Sequence, residues 1–339
     1  MAVTIKDVAM LAGVSPSTVS RTCRNNPSIS EETKEKVRRA AAQLGYQMTG
    51  SPQESAGLRT IGVILPPSAR EVYENPFYLE MIRGINQFCN RHQYMSTIVT
   101  GQDDEDILQA VKLLVGTEQA DSFIVLYSRQ GDPLTEYLYS QGLLYVLIGK
   151  AQPYANQTIY IDNDNFLAGM EATSYLIGLG HRRIGYLGSD SSYLFASDRR
   201  RGYQAALLEA GLPVRMEYCV EMKGIGGGDE ALCALIERAD RPTAFVVSDD
   251  ILAVTLERVC ALSGVRIPED LSIISFNNSL FARLTSPCLT SVDMNSFQLG
   301  IEAASQLINH IDNPNLMATK IIVPHRLVER ESCCSLKEA

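Results

Sequence analysis

TIKDVAMLAGVSPSTVSRTCR, running from Thr4 to Arg24, holds two short helices with their own start and stop signals. Thr4 can cap a helix whose third position is Asp7, a carboxylate suited to the free amides and positive end of the helix dipole. Ile5, Val8, Ala9 and Ala12 then share one face. Gly13 can take the left-handed conformation that ends a helix, and Ser15-Pro16 offers a new cap with proline in the first helical position. The second helix, roughly Pro16 to Arg24, buries Val19 and turns Pro16, Ser17, Ser20 and Arg21 outward. Small polar residues and arginine on an exposed helix suit a DNA major groove, where arginine can make two hydrogen bonds to guanine. A helical hairpin with solvated basic residues is the plain alternative.

Residues 26 to 46 favour the first reading. Ser30 caps an acidic first turn, Glu31 and Glu32, and Val37, Ala40, Ala41 and Leu44 recur at helical spacing up to Gly45. Three small helices around one core make a complete DNA-binding headpiece. The run VTIKDVAMLAGVSPSTVSRTCRNNPSISEETKEKVRRAAAQLGY resembles the headpiece of LacI-type transcription repressors, with its T-I-x-D-V-A, G-V-S and T-V-S-R series and a third helix ending in L-G-Y. The resemblance implies that Pro16, Ser17 and Arg21, with Ser20 beside them, occupy base-reading positions, and that Thr4, Ser15, Thr18 and Arg24 lie near phosphates. Pro16 replaces the bulkier polar residues often found there and offers no side-chain hydrogen bond, so base readout leans on Ser17 and Arg21.

With 339 residues and 45% hydrophobic content, the chain is long enough for two or three domains and a substantial core. No apolar run approaches membrane-spanning length, and the N-terminus lacks a charged-then-apolar signal, so the expected location is the cytoplasm, with no membrane partner. Eight scattered cysteines without a C-x-x-C pair argue against a disulfide framework and a zinc site; Cys333-Cys334 reads as part of an unstructured end. Residues 1 to 59 hold eight Lys/Arg against five acids, net +3, so the remainder carries −12 of the overall −9. A mildly basic module on an acidic body can dock on DNA while the body is repelled.

Residues 1–48 are therefore expected to form the headpiece, 49–59 a linker and 60–335 an effector-binding and dimerisation domain. Relatives usually read P-N-x-x-A-R-x-L in the linker, a hinge helix that wedges its leucine into the minor groove. Here Gly50 to Leu58 lacks that arginine, and Gly57 would end any helix early. Leu58 is a candidate wedge displaced from the usual register, with the edge of the first sheet as the alternative, and weaker bending of the operator is expected.

Beyond the linker the periodicity changes. TIGVILP (60 to 66), STIVTG (96 to 101), DSFIVLY (121 to 127), LYVLIG (144 to 149) and TIYID (158 to 162) are short β-rich runs separated by helical stretches, and the pattern resumes with RIGYLG, TAFVVSD and LSIISFN. Such alternation indicates parallel sheets covered on both faces, in more units than one domain holds. The expected fold is an all-α helix-turn-helix headpiece joined to an α/β, two-lobed, periplasmic-binding-protein-like domain. The lobes fall at about 60–161 plus 293–320, and about 162–292 plus 321–332.

Catalysis finds no foothold in the cleft between them. There is no Walker sequence or G-x-S-x-G, the histidines have no metal-type spacing, and Gly224-Ile225-Gly226-Gly227-Gly228-Asp229 reads as a flexible loop. No cofactor, metal or catalytic residue is expected. Binding candidates do follow the strands, where open α/β sheets place ligands. They are Phe77 and Tyr78; Lys150; Tyr160, Asp162 and Asn163; Phe195 and Arg199; Asp249; and Asn277. Aromatic faces mixed with carboxylates, amides and fixed cations suit a sugar. Asp162 could instead merely cap a helix, and Lys150 could be solvated.

The resemblance to LacI-type regulators continues through I61-G-V-I, N75-P-F-Y, L179-G-H-R-R-I-G-Y-L-G, R199-R-R-G-Y and L289-T-S-V-D. It implies that Arg199 grips effector hydroxyls, that Asp249 and Asn277 line the opposite lobe, and that Phe77 and Tyr78 sit over the ligand. At 277 many relatives carry Asp. N75-P-F-Y, I148-G-K and D162-N-D-N most resemble regulators of maltose and maltodextrin operons. The combined expectation is a dimeric repressor of a maltose or maltodextrin operon, with tetramers an option, that binds a near-palindromic double-stranded operator and responds to a sugar effector. A sugar-binding transport protein and a sugar-modifying enzyme are the rival classes.

Overall fold

The computed structural model of the chain describes residues 3–23, 29–46, 59–68, 71–222 and 229–336. Arg24, the linker with Leu58, and the glycine-rich stretch 224–228 lie outside the described residues.

The headpiece folds on its local signals. Helix α1 (Ile5–Ala12) begins where the Thr4 amide donates to Asp7 Oδ2 at 2.8 Å and ends at Gly13, φ 67°. In α2 (Pro16–Cys23) the Ser15 hydroxyl accepts from the Thr18 amide at 3.1 Å, satisfying a first-turn donor that has no partner within the helix. Helix α3 (Glu31–Leu44) is capped by Ser30 and closed by Gly45, also left-handed at φ 66°. Val8, Ala9, Val19, Val37, Ala40 and Ala41 form the core that the three amphipathic faces share.

The first lobe runs β1 (Arg59–Ile64), α4 (Glu71–Glu74), α5 (Pro76–Arg91), β2 (Tyr94–Val99), α6 (Asp104–Gly116), β3 (Ser122–Val125), α7 (Pro133–Ser140), β4 (Leu144–Ile148) and β5 (Ile159–Asp162). The second runs α8 (Asn165–Gly178), β6 (Ile184–Gly188), α9 (Leu194–Glu209), β7 (Cys219–Glu221), α10 (Asp229–Ile236), β8 (Ala244–Val247), α11 (Asp250–Leu262), β9 (Ser272–Phe276), α12 (Leu280–Leu284) and β10 (Thr290–Asp293). The chain then returns through α13 (Ser296–Asp312) and β11 (Lys320–Ile322) of the first lobe to β12 (Arg326–Val328) of the second. Three crossovers thus join the lobes.

The sheet orders are β11-β5-β4-β3-β1-β2 and β12-β10-β9-β8-β6-β7, parallel throughout except for antiparallel β12. Parallel strands buried on both faces explain the continuous apolar runs in the sequence. Each lobe also contains one close helix crossing built on two glycines. A Cβ on Gly84 of α5 would meet Phe297 O at 2.2 Å, and one on Gly300 of α13 would meet Met81 O at 2.1 Å. In the second lobe, Gly169 of α8 faces Arg199 O at 2.3 Å and Gly202 of α9 faces Phe166 O at 2.1 Å in the same sense.

The chain end corrects an expectation. Ser332 is fully buried, its hydroxyl donating to Ile273 O at 2.6 Å and accepting from the Thr290 amide at 2.8 Å. Residues 330–336 are therefore laid against β9 and β10, because they satisfy backbone groups that those strands leave open. Burial there pushes the Cys333 thiol up to about 12, so it is a packed thiol and not a reactive one.

Candidate functional site

The carboxyl ends of both sheets face a common cleft lined by residues of both lobes, the place where open α/β sheets bind ligands. Asn75 starts α5 by accepting the Phe77 amide at 3.0 Å, with Pro76 in the first helical position, and this cap sets Phe77 and Tyr78 into the cleft. Their rings meet edge-on, 5.8 Å apart.

Arg199 stands in the opposite wall, 3% exposed. Its Nε donates to Asn165 Oδ1 at 2.9 Å and its Nη1 to Ser248 O at 2.5 Å. The guanidinium lies between the rings of Phe195 at 5.0 Å and Phe276 at 4.4 Å. Burial pulls its pKa down, to about 10, while Tyr186, Asp249 and Asp162 hold it up, so it stays charged at neutral pH. These contacts fix the plane of the fork and leave Nη2 with no protein acceptor among the described residues.

Asp249 and Asn277 complete this wall, and Asp162 joins the lining from the end of β5 in the first lobe. Asp249 caps α11 through the Leu252 amide at 2.8 Å and lines the cleft as well, and burial raises its pKa. Asp162 accepts from Asn165 Nδ2 at 3.1 Å, and burial pushes it up to about 7 against the pull of Lys150. Asn277 sits at φ 94°, and its buried Oδ1 has no hydrogen-bond partner among the described residues. An unpaired buried acceptor lining a cleft is a place for a ligand donor. Asp250 positions it: Ser275 and Ser291 hydroxyls donate to Oδ1 at 2.6 and 2.8 Å, and the Ser279 amide donates to Oδ2 at 2.6 Å, tying down the loop after β9.

Of the expected effector residues, Phe77, Tyr78, Asp162, Asn163, Phe195, Arg199, Asp249 and Asn277 come together in the cleft. Asn163 spends both amide hydrogens on Met294 O at 3.1 Å and Val323 O at 2.8 Å, so its donors bind the three crossovers to each other. Tyr160 is a correction: it lies two residues short of the carboxyl end of β5 and packs with Tyr145 and Leu147 on the face covered by α6 and α7. Lys150 is a second correction. Gly149, at φ 102°, turns the chain where a Cβ would meet Ser128 Cβ at 2.7 Å, and Lys150 leaves the cleft lining to pair with Asp198 of α9. Sequence reading missed Asn165 and the lining residues Leu126, Tyr127 and Leu299, and it took in Asp198 only as part of the stretch Tyr193 to Arg199, without its partner. The apolar three were visible only as strand or helix core, and Asn165 and Asp198 act on Arg199 and Lys150, far away in sequence.

In the headpiece, Thr4 is exposed, and Ser15, Pro16, Thr18 and Ser20 are partly exposed. Ser17 lies within α2. Arg21 is not turned outward as expected. It is buried, donating to Gln141 O at 3.1 Å, Asp121 O at 3.3 Å and Gly142 O, where the carbonyl end of α7 attracts a cation. It cannot reach a base edge from there, so reading DNA with Arg21 requires the headpiece to leave the first lobe.

The family models agree with this anatomy: residues 4–48 match "Bacterial regulatory proteins, lacI family" and residues 173–333 match "Periplasmic binding protein-like domain". The chain is 32% identical over 342 residues to the HTH-type transcriptional regulator MalR of Streptococcus pneumoniae, covering 97% of this chain and 100% of that one. A solved complex of the transcriptional regulator CelR with cellobiose superposes with a TM-score of 0.76 at 27% identity, covering 98% of this chain and 100% of the other. Another HTH-type transcriptional regulator MalR, from Staphylococcus xylosus, is 33% identical over 338 residues, 99% of each chain, and this chain belongs with it to the LacI family of bacterial transcriptional regulators.

Proposed function

We propose that the protein is a cytoplasmic homodimeric repressor of a carbohydrate operon whose DNA affinity is set by maltose, or a related glucose disaccharide, held between the lobes. The observation that carries the ligand class is the cleft wall itself: a fixed guanidinium with a spare donor, two carboxylates and an unpaired Asn277 acceptor, facing Phe77 and Tyr78. Hydroxyls need donors and acceptors side by side, and the C–H face of a sugar ring needs an aromatic surface. A strongly anionic ligand would meet Asp162 and Asp249 with only Arg199 to offset them. The CelR complex with cellobiose supports a glucose disaccharide, and the N75-P-F-Y, I148-G-K and D162-N-D-N motifs favour maltose.

Dimerisation is supported by apolar side chains that strand β2 leaves in water at the sheet edge, Met95 at 49% and Ile98 at 51% exposure, and by Leu79 of α5, which is exposed as well. A twofold dimer presents two headpieces to a twofold operator. Ser17 and Arg21 read bases, while Thr4, Ser15, Thr18 and Arg24 lie near phosphates, and Leu58 is the candidate minor-groove wedge. Tetramer formation stays open to the same sedimentation measurement that would show the dimer. Arg21→Ala, assayed by fluorescence anisotropy on operator and random DNA, is expected to lose about 1–3 kcal/mol of discrimination. Equal loss on both DNAs would remove Arg21 from base reading.

A further inference from the structure

Lys150 and Asp198 lie in different lobes, one residue away from cleft-lining groups on each side: Gly149 in the first lobe and Arg199 in the second. Lys150 Nζ donates directly to Asp198 Oδ2. Asp198 is nearly enclosed, its side chain 10% accessible, and its other oxygen accepts from Arg201 Nη1 at 3.1 Å. The lysine is delivered by the left-handed turn at Gly149, and the Ser128 hydroxyl holds that turn by donating to Lys150 O.

A second inter-lobe seam runs beside the pair. The Gln130 amide donates to Ser192 O at 3.2 Å and the Leu194 amide to Ser128 O at 3.1 Å, forming a short antiparallel bridge between the loop after β3 and the start of α9. Tyr127 meets Tyr193 edge-on across the same seam at 6.3 Å. Apart from the crossovers, then, residues 127–130 and 150 of one lobe grip residues 192–198 of the other. Both sides carry the walls of the cleft, so separating the seam opens the site.

We infer that the Lys150–Asp198 ion pair is an inter-lobe latch: it sets effector affinity by holding the lobes together around the cleft, without touching the effector. An ion pair that must break for the cleft to open slows ligand escape, so its loss acts mainly on the dissociation rate. Both residues are positioning residues. The inference rests on the sugar-sensing reading for its consequence, but not for its mechanical part.

Two measurements on the full-length protein separate these. Without ligand, residue-resolved hydrogen exchange should show the Gln130 and Leu194 amides protected in the wild type. Lys150→Met and Asp198→Asn should each speed them by about tenfold, while the β8 amides stay as they were. Lys150→Arg, which keeps a cation opposite Asp198 and leaves the neighbouring Arg201 and Asp162 with their partners, should keep most of the protection that Lys150→Met loses. In the second measurement, maltose should bind Lys150→Met and Asp198→Asn each about tenfold more weakly through faster dissociation, and Lys150→Arg should retain most of the wild-type affinity. Unchanged exchange at Gln130 and Leu194 in both single variants would overturn the latch. No binding of maltose by the wild type would overturn the ligand assignment, and the exchange result would still decide the latch.

Discussion

The two walls of the cleft are built on different physics. The second-lobe wall is polar and wired in advance: Arg199 is held by Asn165 and Ser248, Asp249 by its helix cap, and the Asn277 loop by Asp250 and three serines. The first-lobe wall consists mainly of Phe77, Tyr78, Leu126, Tyr127 and Leu299, anchored by a cap at Asn75, with Asp162 at the end of β5 as its carboxylate. Fixed donors and acceptors discriminate between ligands, because a partner of the wrong shape leaves them unpaired in a dry site. Apolar rings contribute area with little directional demand. On the sugar-sensing reading proposed above, the second lobe would decide most of the effector's identity and the rings of the first lobe would add contact area.

The sharpest test of that division is Arg199→Ala. Loss of a charged hydrogen bond in a buried site costs about 1.5–3 kcal/mol, roughly 10- to 150-fold in sugar affinity. Operator binding without sugar should persist, and release at the wild-type sugar concentration would make Arg199 structural. Isothermal titration with maltose, alongside operator anisotropy, reads both.

The glycine crossings give a comparison between lobes with matched chemistry. Gly202→Ala forces α9 away from Phe166 O and moves the helix that carries Arg199; Gly300→Ala forces α13 from Met81 O. Overpacking of this kind costs about 1–3 kcal/mol of stability in either lobe. Only Gly202→Ala should also weaken maltose well beyond what the lowered melting temperature explains. Equal effects on affinity would erase the distinction between the walls.

The smallest effect concerns acid. His181 is 2% exposed in the second lobe, with Nε2 facing Ser272 Oγ and Cys334 O at 3.1 Å each and Nδ1 facing Thr243 Oγ1 at 3.0 Å. A carbonyl only accepts, so Nε2 carries the proton. Burial depresses the pKa, against the opposing pull of the Cys334 carbonyl. A depressed folded-state pKa means the unfolded chain binds the extra proton first. The contribution of His181 is therefore complete above its ordinary 6.5 and is lost as pH falls through the folded value. Asp162, raised to about 7, has the opposite sign, its contribution fading as pH rises through that value. The difference between wild type and His181→Gln in melting temperature against pH isolates the histidine; parallel curves below 6.5 would remove it.

Much of this was legible in the sequence, for physical reasons. Capping residues and helical periodicity delimited the headpiece, and buried parallel strands announced themselves as apolar runs. Arg199, Asp249 and Asn277 were singled out from the segments that follow strands and from the family resemblance, and the structure brings them to one cleft. The edge strands β7, β11 and β12 were missed, each only three residues long and too short for a periodicity. Lys150 was misplaced because the turn at Gly149, not its position after a strand, decides where it points. Its partner Asp198 lies 48 residues away, and Ser332 makes its contacts to strands more than 40 residues back. Such pairings exist only once the chain has folded.

The central claim is that a sugar in this cleft governs DNA binding. The most direct measurement follows the anisotropy of a labelled operator bound to the full-length protein while maltose is titrated in, with cellobiose and ribose as parallel titrants. The account predicts a saturable change in operator affinity with maltose, at most weaker changes with the other two, and loss of the response in Arg199→Ala. Operator affinity that stays constant through saturating concentrations of all three sugars would contradict it.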